Sequence, residues 1–242
     1  PAVVAQKAAT VQQLSDGRFV LGLGAGENLN EHVVGRGWPP VNVRHEMLLE
    51  AVDIIDALFD GGYVDHAGDH FRVDSAKLWD LPASRVPVAV AVSGSQSIET
   101  FAPVADAMVA TEPEQSLVTG FDDAAGARLP KIGQQPISWG PDAEAAKERA
   151  HATFRWFAGG WDVNADLPTT QAFDAASQFV RPEDVAESIA CGPDLDALAE
   201  SARPFIDAGF TDVAIVQIGD EQQDRFLAEV AAPLLEKMRA LS

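Results

Sequence analysis

Short apolar runs alternate with amphipathic helical patterns along the 242 residues of this chain. Five of the runs have the length and composition of buried strands: 19–23, 87–94, 106–111, 134–142 and 212–219. Helical sequence follows each of them, and parallel strands need crossover connections of this kind. The pattern therefore predicts an α/β fold with a parallel sheet, and it fits an open doubly wound sheet as well as part of a closed barrel.

The length of the chain favours an incomplete barrel. A complete eight-stranded β/α barrel typically takes roughly 250 residues or more. Five units therefore indicate a barrel without its first units, and the opening at Pro1, directly before a helical pattern at 2–14, agrees with this. We predict one domain over 1–242, incomplete at its N-terminus. At about 158–180 the alternation of strands and helices is interrupted, which predicts an insertion. The alternating segment 61–73 predicts either a hairpin or an extended excursion between the main elements.

The charge balance excludes several kinds of partner. The chain carries 37 Asp and Glu against 17 Lys and Arg, a formal net charge of −20. Such a surface repels phosphate backbones and anionic lipids, so we expect neither nucleic acid nor a membrane as partner.

The one cysteine, Cys191, rules out a disulfide framework and any cysteine-rich zinc site. With no apolar run near the roughly 18 residues of a membrane span, the composition predicts a soluble cytoplasmic protein.

The segment RFVLGLGAGENLNE, residues 18–31, has glycines at alternate positions over 22–26. This is G-x-G-x-G and not the G-x-G-x-x-G of a dinucleotide-binding loop, and the acid expected about 20 residues later falls in a helical pattern near Glu46. The glycines either let a strand end pack closely against its neighbours or lead into a site. Glu27 follows the strand where barrel enzymes gather catalytic groups, and Asn30 lies within reach of the same mouth.

Two further strand ends carry hydroxyl groups. The segment 93–97 passes from a buried strand through Gly94 into a helix start, where backbone N–H groups favour an anion. An ordinary serine N-cap explains the same residues equally well. Thr111 ends the next strand, where it either faces the mouth or caps the following helix.

Other polar and aromatic residues give weaker signals. The cluster DHAGDH at 65–70 has the composition of a metal site, but alternation in a hairpin would split its side chains between two faces, so we predict no metal. His45 falls in an amphipathic helix and is expected to be solvated. Trp139, at a strand end, and Trp161, in the insertion, are candidates for lining a pocket.

Together, the segments PAVVAQKAATVQQLSDGRFVLGLGAGENLNEHVVG, WPPVNVRHEMLLEAVDIIDALFDG and VPVAVAVSGSQSIETFAPVADAMVAT resemble the luciferase-like flavin and deazaflavin oxidoreductases. The closest likeness is to the branch that contains the F420-dependent glucose-6-phosphate dehydrogenases, and it extends to QQDRFLAEVAAPLLEKMR at the end. The resemblance implies a TIM (β/α)8 barrel that binds coenzyme F420 and passes a hydride to or from its ring. It also implies that roughly the first three βα units, including a catalytic histidine, precede this chain, and that the protein forms a homodimer.

The resemblance assigns roles to individual residues. The acid-base residue of the family falls on Glu27, a deazaflavin contact on Asn30, and a substrate contact on Thr111. The loop that holds the cofactor phosphate falls on Ser93, Gly94, Gln96 and Ser97.

One departure from the family pattern bears on the substrate. Three residues after Thr111, where the sugar-phosphate enzymes carry a lysine, this chain has Glu114. A carboxylate there repels a phosphate by roughly 1 to 4 kcal/mol at contact distance. An uncharged alcohol, ketone or enone therefore suits the residues better than glucose 6-phosphate. Two alternatives stay open: an FMN-dependent monooxygenase on the same fold, and a non-catalytic barrel remnant that acts as a binding or assembly protein.

Overall fold

The computed structural model describes residues 1–35 and 37–241, which form helices and strands in alternation. The helices are α1 Ala2–Leu14, α2 Asn28–Glu31, α3 Val41–Phe59, α4 Ser95–Phe101, α5 Gln115–Ala125, α6 Ala143–Phe154, α7 Gly160–Asn164, α8 Thr170–Ser177, α9 Pro182–Ser188, α10 Leu195–Glu200, α11 Arg203–Ala208, α12 Gln223–Glu229 and α13 Ala231–Arg239. The strands are β1 Leu21–Leu23, β2 Val64–Ala67, β3 Arg72–Ala76, β4 Val88–Ala91, β5 Ala107–Ala110, β6 Lys131–Trp139, β7 Ala190–Gly192 and β8 Asp212–Gln217. Short 3₁₀ helices occupy His32–Val34, Ala102–Val104, Arg155–Gly159 and Asp220–Gln222.

The chain divides into two compact units whose segments interleave along the sequence. The first unit comprises Pro1–Ala25, Pro39–Val109 and Thr119–Lys131, and the second comprises Gly26–Trp38, Ala110–Val118 and Ile132–Ser242. That 1–242 is one domain stays a prediction.

In the first unit, parallel strands lie side by side. β1 pairs with β4, which places Leu21 opposite Val88, and β4 pairs with β5, which places Ala89 opposite Ala107. Val88, Ala89 and Val90 of β4 are buried without interruption, because the strand is covered on both faces. The predicted strands at 19–23, 87–94 and 106–111 are thereby confirmed.

The predicted hairpin is also present in the first unit. β2 and β3 pair antiparallel, with Ala67 opposite Arg72. Glu50 of α3 holds this hairpin: one carboxylate oxygen lies 2.8 Å from Nε2 of His66, and the carboxylate accepts the N–H groups of His70 and Phe71. The polar cluster of the hairpin is therefore tied to a helix, and the described residues contain no group of three potential ligands suited to a metal ion.

His45 departs from its expected position. Its ring is buried against the edge of Phe101 from α4, with the ring centroids 4.9 Å apart. Burial lowers the pKa of His45, and the charge of Arg44 lowers it further. The expectation of a solvated His45 was wrong because α4 covers this face of α3.

In the second unit, β6 is the central strand. β8 runs parallel to it from Ile132 opposite Asp212 to Ile137 opposite Gln217, and β7 pairs with its last three residues. β6 and β8 confirm the strands predicted at 134–142 and 212–219. β7 has only three residues, Ala190–Gly192, which is too short for an apolar run to reveal.

In addition to a small cluster around Ile189 and Ile218, the second unit contains a larger hydrophobic cluster. Strands β6 and β8 and helices α10, α12 and α13 contribute to it, and its largest buried side chains are Ile137, Trp139, Leu198, Phe226, Leu234 and Met238. Gly133 belongs to the same sheet, and a Cβ atom there would overlap the ring of Phe205. Backbone and aromatic ring therefore approach more closely here than a side chain on β6 would allow.

These observations confirm the α/β class and, apart from the hairpin, the parallel pairing of the strands within each unit. In neither unit do the described strands close into a barrel. The segment predicted as an insertion at 158–180 is largely helical, since it contains α7 and α8. None of the helices within the described residues has the length and apolar composition needed to cross a lipid bilayer.

Candidate active site in the second unit

Glu27 stands at a turn that its own backbone stabilises. Gly26 precedes it with φ of +81°, a left-handed conformation that favours glycine. The carbonyl oxygen of Glu27 accepts the N–H groups of Asn30 and Glu31 at 3.0 Å each, which begins α2. One side-chain oxygen of Glu27 accepts the amide of Asn30 at 3.3 Å. The two residues singled out in this segment are therefore hydrogen-bonded to each other.

Asn28 fastens this turn to the residues that directly follow α7. Its backbone N–H donates to the carbonyl of Ala165 at 3.0 Å, and its side-chain amide donates to the carbonyl of Asp166 at 2.9 Å. The indole of Trp38 donates to the carboxylate of Asp166 at 2.8 Å. The hydrogen bonds of Asn28 and Asn30, which follow Glu27 in the chain, therefore hold Glu27 in position. The partners of Asn28 belong to the segment that was predicted as an insertion.

A cavity of about 560 Å³ opens beside Glu27. All of its lining residues belong to the second unit. They are Glu27, Leu29, Thr111, Glu112, Gln134, Pro136, Thr153, Phe154, Trp156, Phe157, Gly160, Trp161, Asn164, Thr170, Phe173 and Asp174. The volume lies in the range of small-molecule sites in proteins. Glu27 and Thr111, chosen from the sequence, therefore face the same space.

One wall of the cavity is aromatic. Trp156 is its centre: its ring meets the rings of Phe173 and Phe157 edge to face, with centroids 6.0 Å and 6.2 Å apart. Phe154 lies 5.1 Å from Trp156, also between centroids. Such interlocking rings give a wall that suits a planar or apolar group.

The polar lining of the cavity is acidic. Three carboxylates face it, those of Glu27, Glu112 and Asp174, and none of the described lining residues is Lys or Arg. Asp174 is paired with Arg155, whose Nη2 lies 2.9 Å from its carboxylate. Two carboxylates therefore leave the lining net negative.

A second cavity, of about 440 Å³, adjoins the first and shares several of its residues. Thr111, Glu112, Gln134 and Phe157 line both. Thr111 therefore stands where the two spaces meet.

The predicted anion loop lies in the first unit. The buried hydroxyl of Ser97 accepts the N–H groups of Ser93 and Gly94 at 3.1 Å and 3.3 Å and donates to the carbonyl of Gly94 at 2.9 Å. These contacts use the full capacity of the hydroxyl, so Ser97 shapes the loop. Ser93 and Gln96 are exposed, and space is open where Gly94 lacks a side chain. That Ser93, Gly94, Gln96 and Ser97 hold a cofactor phosphate stays a prediction.

The sequence interpretation missed most of the aromatic wall. It singled out Trp161, which does line the cavity, and Trp139, which is instead buried in the core against Phe226. Trp156 was expected to pack in the core or in a lid, and Phe154 and Phe157 were not singled out. Four large aromatic residues within the short stretch 154–161 are the signal that would have pointed to them.

The fold is α/β, with parallel strands and crossover helices. It places an acid just beyond a strand end and beside a cavity, an arrangement that enzymes commonly use. The family model described as luciferase-like monooxygenase matches residues 1–212. The chain belongs to the luciferase-like monooxygenase family, as the resemblance predicted.

Named relatives place the chain within this family more narrowly. The F420-dependent glucose-6-phosphate dehydrogenase of Nakamurella multipartita is 30% identical over 256 residues, which cover 100% of this chain and 74% of that protein. The F420-dependent hydroxymycolic acid dehydrogenase of Mycobacterium tuberculosis is 33% identical over 220 residues, 86% of this chain and 59% of that protein. Among solved structures, an F420-dependent secondary alcohol dehydrogenase in complex with an F420-acetone adduct shares the fold, with a TM-score of 0.85 and 24% identity over 99% of this chain and 75% of that one.

Proposed function

We propose that this protein is an F420-dependent oxidoreductase that transfers a hydride between the deazaflavin cofactor and a small organic substrate with an alcohol, ketone or enone group. The observation that carries the proposal is Glu27, a carboxylate facing an aromatic cavity, in a chain whose relatives are named F420-dependent dehydrogenases. The same proposal includes a homodimer in the cytoplasm, supported by the family resemblance and by the single cysteine.

The donor groups of the chain fit coenzyme F420. The exposed Ser93 and Gln96 beside the open surface of Gly94 suit its phosphate. When bound, the cofactor supplies the hydride acceptor or donor of the reaction. In the proposal, Asn30 contacts the deazaflavin, and the loop of Ser93, Gly94, Gln96 and Ser97 holds the cofactor phosphate.

Glu27 has the chemistry that hydride transfer requires of the protein. When an alcohol is oxidised, the carbon loses a hydride and the hydroxyl loses a proton, so a base must take that proton. The Glu27 carboxylate is the proposed base, and in the reverse direction its carboxyl group returns the proton. The amide of Asn30 at 3.3 Å orients one carboxylate oxygen, and in the proposal Thr111, which lines the same cavity, contacts the substrate.

Glu27→Gln tests this role. The substitution keeps the size of the side chain and removes its ability to take a proton. We expect the affinity for F420, measured by fluorescence titration, to change less than about threefold, and kcat to fall by roughly 100-fold or more, as is typical on loss of a general base. Glu31→Gln is the matched control, because Glu31 ends the short helix α2 that follows Glu27 and is not among the residues that line the cavity.

The possible results separate the parts of the proposal. Tight binding of FMN with no binding of F420 would show that the cofactor assignment is wrong. A Glu27→Gln protein that retains kcat within about threefold would remove Glu27 from the proton transfer. Binding of neither cofactor would favour the non-catalytic alternative.

A further inference from the structure

We propose that the cavity beside Glu27 selects uncharged, apolar substrates and that Glu112 is the residue that discriminates against anionic ones. This assignment deepens the proposed function and rests on it for the identity of the reaction. The cavity itself, its walls and its charges carry the choice of substrate class.

Within the described part of the chain, Asp174 is the one lining carboxylate that is paired with a cation, so Glu27 and Glu112 supply the charge of the cavity. The charge of Asp174 is offset by Arg155 at 2.9 Å. Glu27 is occupied with the reacting hydroxyl in the proposed chemistry. Glu112 is therefore the group that meets the remainder of the substrate, and it faces both cavities.

Glu114 is a poorer candidate, although the sequence pointed to it. Its carboxylate accepts the hydroxyl of Ser116 at 3.1 Å, and Glu114 is not among the residues that line either cavity. The repulsion of anionic substrates that the sequence assigned to Glu114 therefore comes from Glu112, two residues earlier in the chain.

The wall around Trp156 adds the apolar preference. Trp156, Phe157 and Phe173 all line the cavity, and an apolar group bound against them leaves water. An anionic substituent would have to lose its hydration in this space without any Lys or Arg among the described lining residues. Both effects act in the same direction, against phosphate and carboxylate substituents.

Binding measurements test the selection independently of the cofactor. Acetophenone and 4-acetylbenzoate share a ring and a ketone and differ by one carboxylate. In ligand-observed NMR with the purified protein, we expect acetophenone to bind at least tenfold more tightly. In Glu112→Gln the ratio of the two dissociation constants falls roughly fivefold, the effect of one unit charge at contact distance in a largely aqueous setting. Glu114→Gln, the matched control, keeps the wild-type ratio within twofold.

Turnover separates this inference from the proposed function. With 1-phenylethanol and 4-(1-hydroxyethyl)benzoate as substrates, the ratio of kcat/KM should follow the binding ratio in the wild type and in both variants. Equal binding of the neutral and anionic ketones, or an unchanged ratio in Glu112→Gln, overturns the inference. If the binding preference is present but neither alcohol reduces F420, the proposed function is wrong while the selection by Glu112 stands.

Discussion

The side chain of Gln217 joins the ends of β6 and β8, and replacing it with leucine should weaken the second unit. Its oxygen accepts the N–H of Trp139 at 2.9 Å, and its amide nitrogen donates to the carbonyls of Trp139 and Ile218 at 3.0 Å and 3.2 Å. Gln217 is only 6% exposed, so water does not replace these bonds. Gln217→Leu keeps the volume of the side chain and removes every one of them.

The size of the stability loss depends on which backbone groups lose their last hydrogen-bond partner. The carbonyl of Trp139 keeps a bond from Nη2 of Arg149 at 2.8 Å, whereas the N–H of Trp139 loses the partner that Gln217 provides. A buried amide left without a partner costs about 1 to 3 kcal/mol, and the apolar leucine offsets part of this. We expect the free energy of unfolding to fall by about 2 kcal/mol.

Urea unfolding followed by circular dichroism measures the loss, and hydrogen exchange of the peptide around Trp139 locates it. Gln178→Leu is the matched control, because Gln178 is exposed and makes one local bond to Ala175. Its effect should stay within about 0.5 kcal/mol. The explanation fails if the two variants are equally stable and the amide of Trp139 exchanges no faster in Gln217→Leu.

Two further predictions concern backbone packing and charge. Gly133→Ala should destabilise the protein by about 1 to 3 kcal/mol in thermal unfolding, because the new Cβ overlaps the buried ring of Phe205, whereas Gly62→Ala, which meets only open space, should have little effect. The side chain of Arg181 and then its N–H lower the pKa of Asp184 to about 2, so the stability from this contact is fully present above about pH 3.8 and is lost as the pH falls through about 2. Arg181→Ala should raise the pKa of Asp184 measured by NMR titration, and an unchanged value would contradict the assignment.

The sequence predicted the elements of the fold well. The helix expected at 2–14 is α1, Ala2–Leu14, and each of the five apolar runs overlaps a strand, with β6 beginning at Lys131, three residues earlier than expected. These features depend on periodicity and composition within a few neighbouring residues, which the sequence shows directly. β7 was missed because a strand of three residues, Ala190–Gly192, owes its existence to pairing with β6 and not to its own pattern.

The candidate site was predictable in part. Glu27 could be found because an acid after a strand and a glycine turn is a local feature, and Thr111 because it ends a strand. The aromatic wall escaped prediction because Trp156 and Phe173 are far apart in sequence and meet only through the packing of the second unit.

The sequence by itself determined the α/β class, the order of most strands and helices, and membership of the luciferase-like family. The spacing of apolar residues and the extended similarity to the family can both be recognised from neighbouring residues along the chain. Only the tertiary structure decided that Glu112 and not Glu114 faces the cavity, that Trp139 belongs to the core, and that Asn28 holds the turn of Glu27. The direction of a side chain depends on partners distant along the chain, and those partners become neighbours only when the chain has folded.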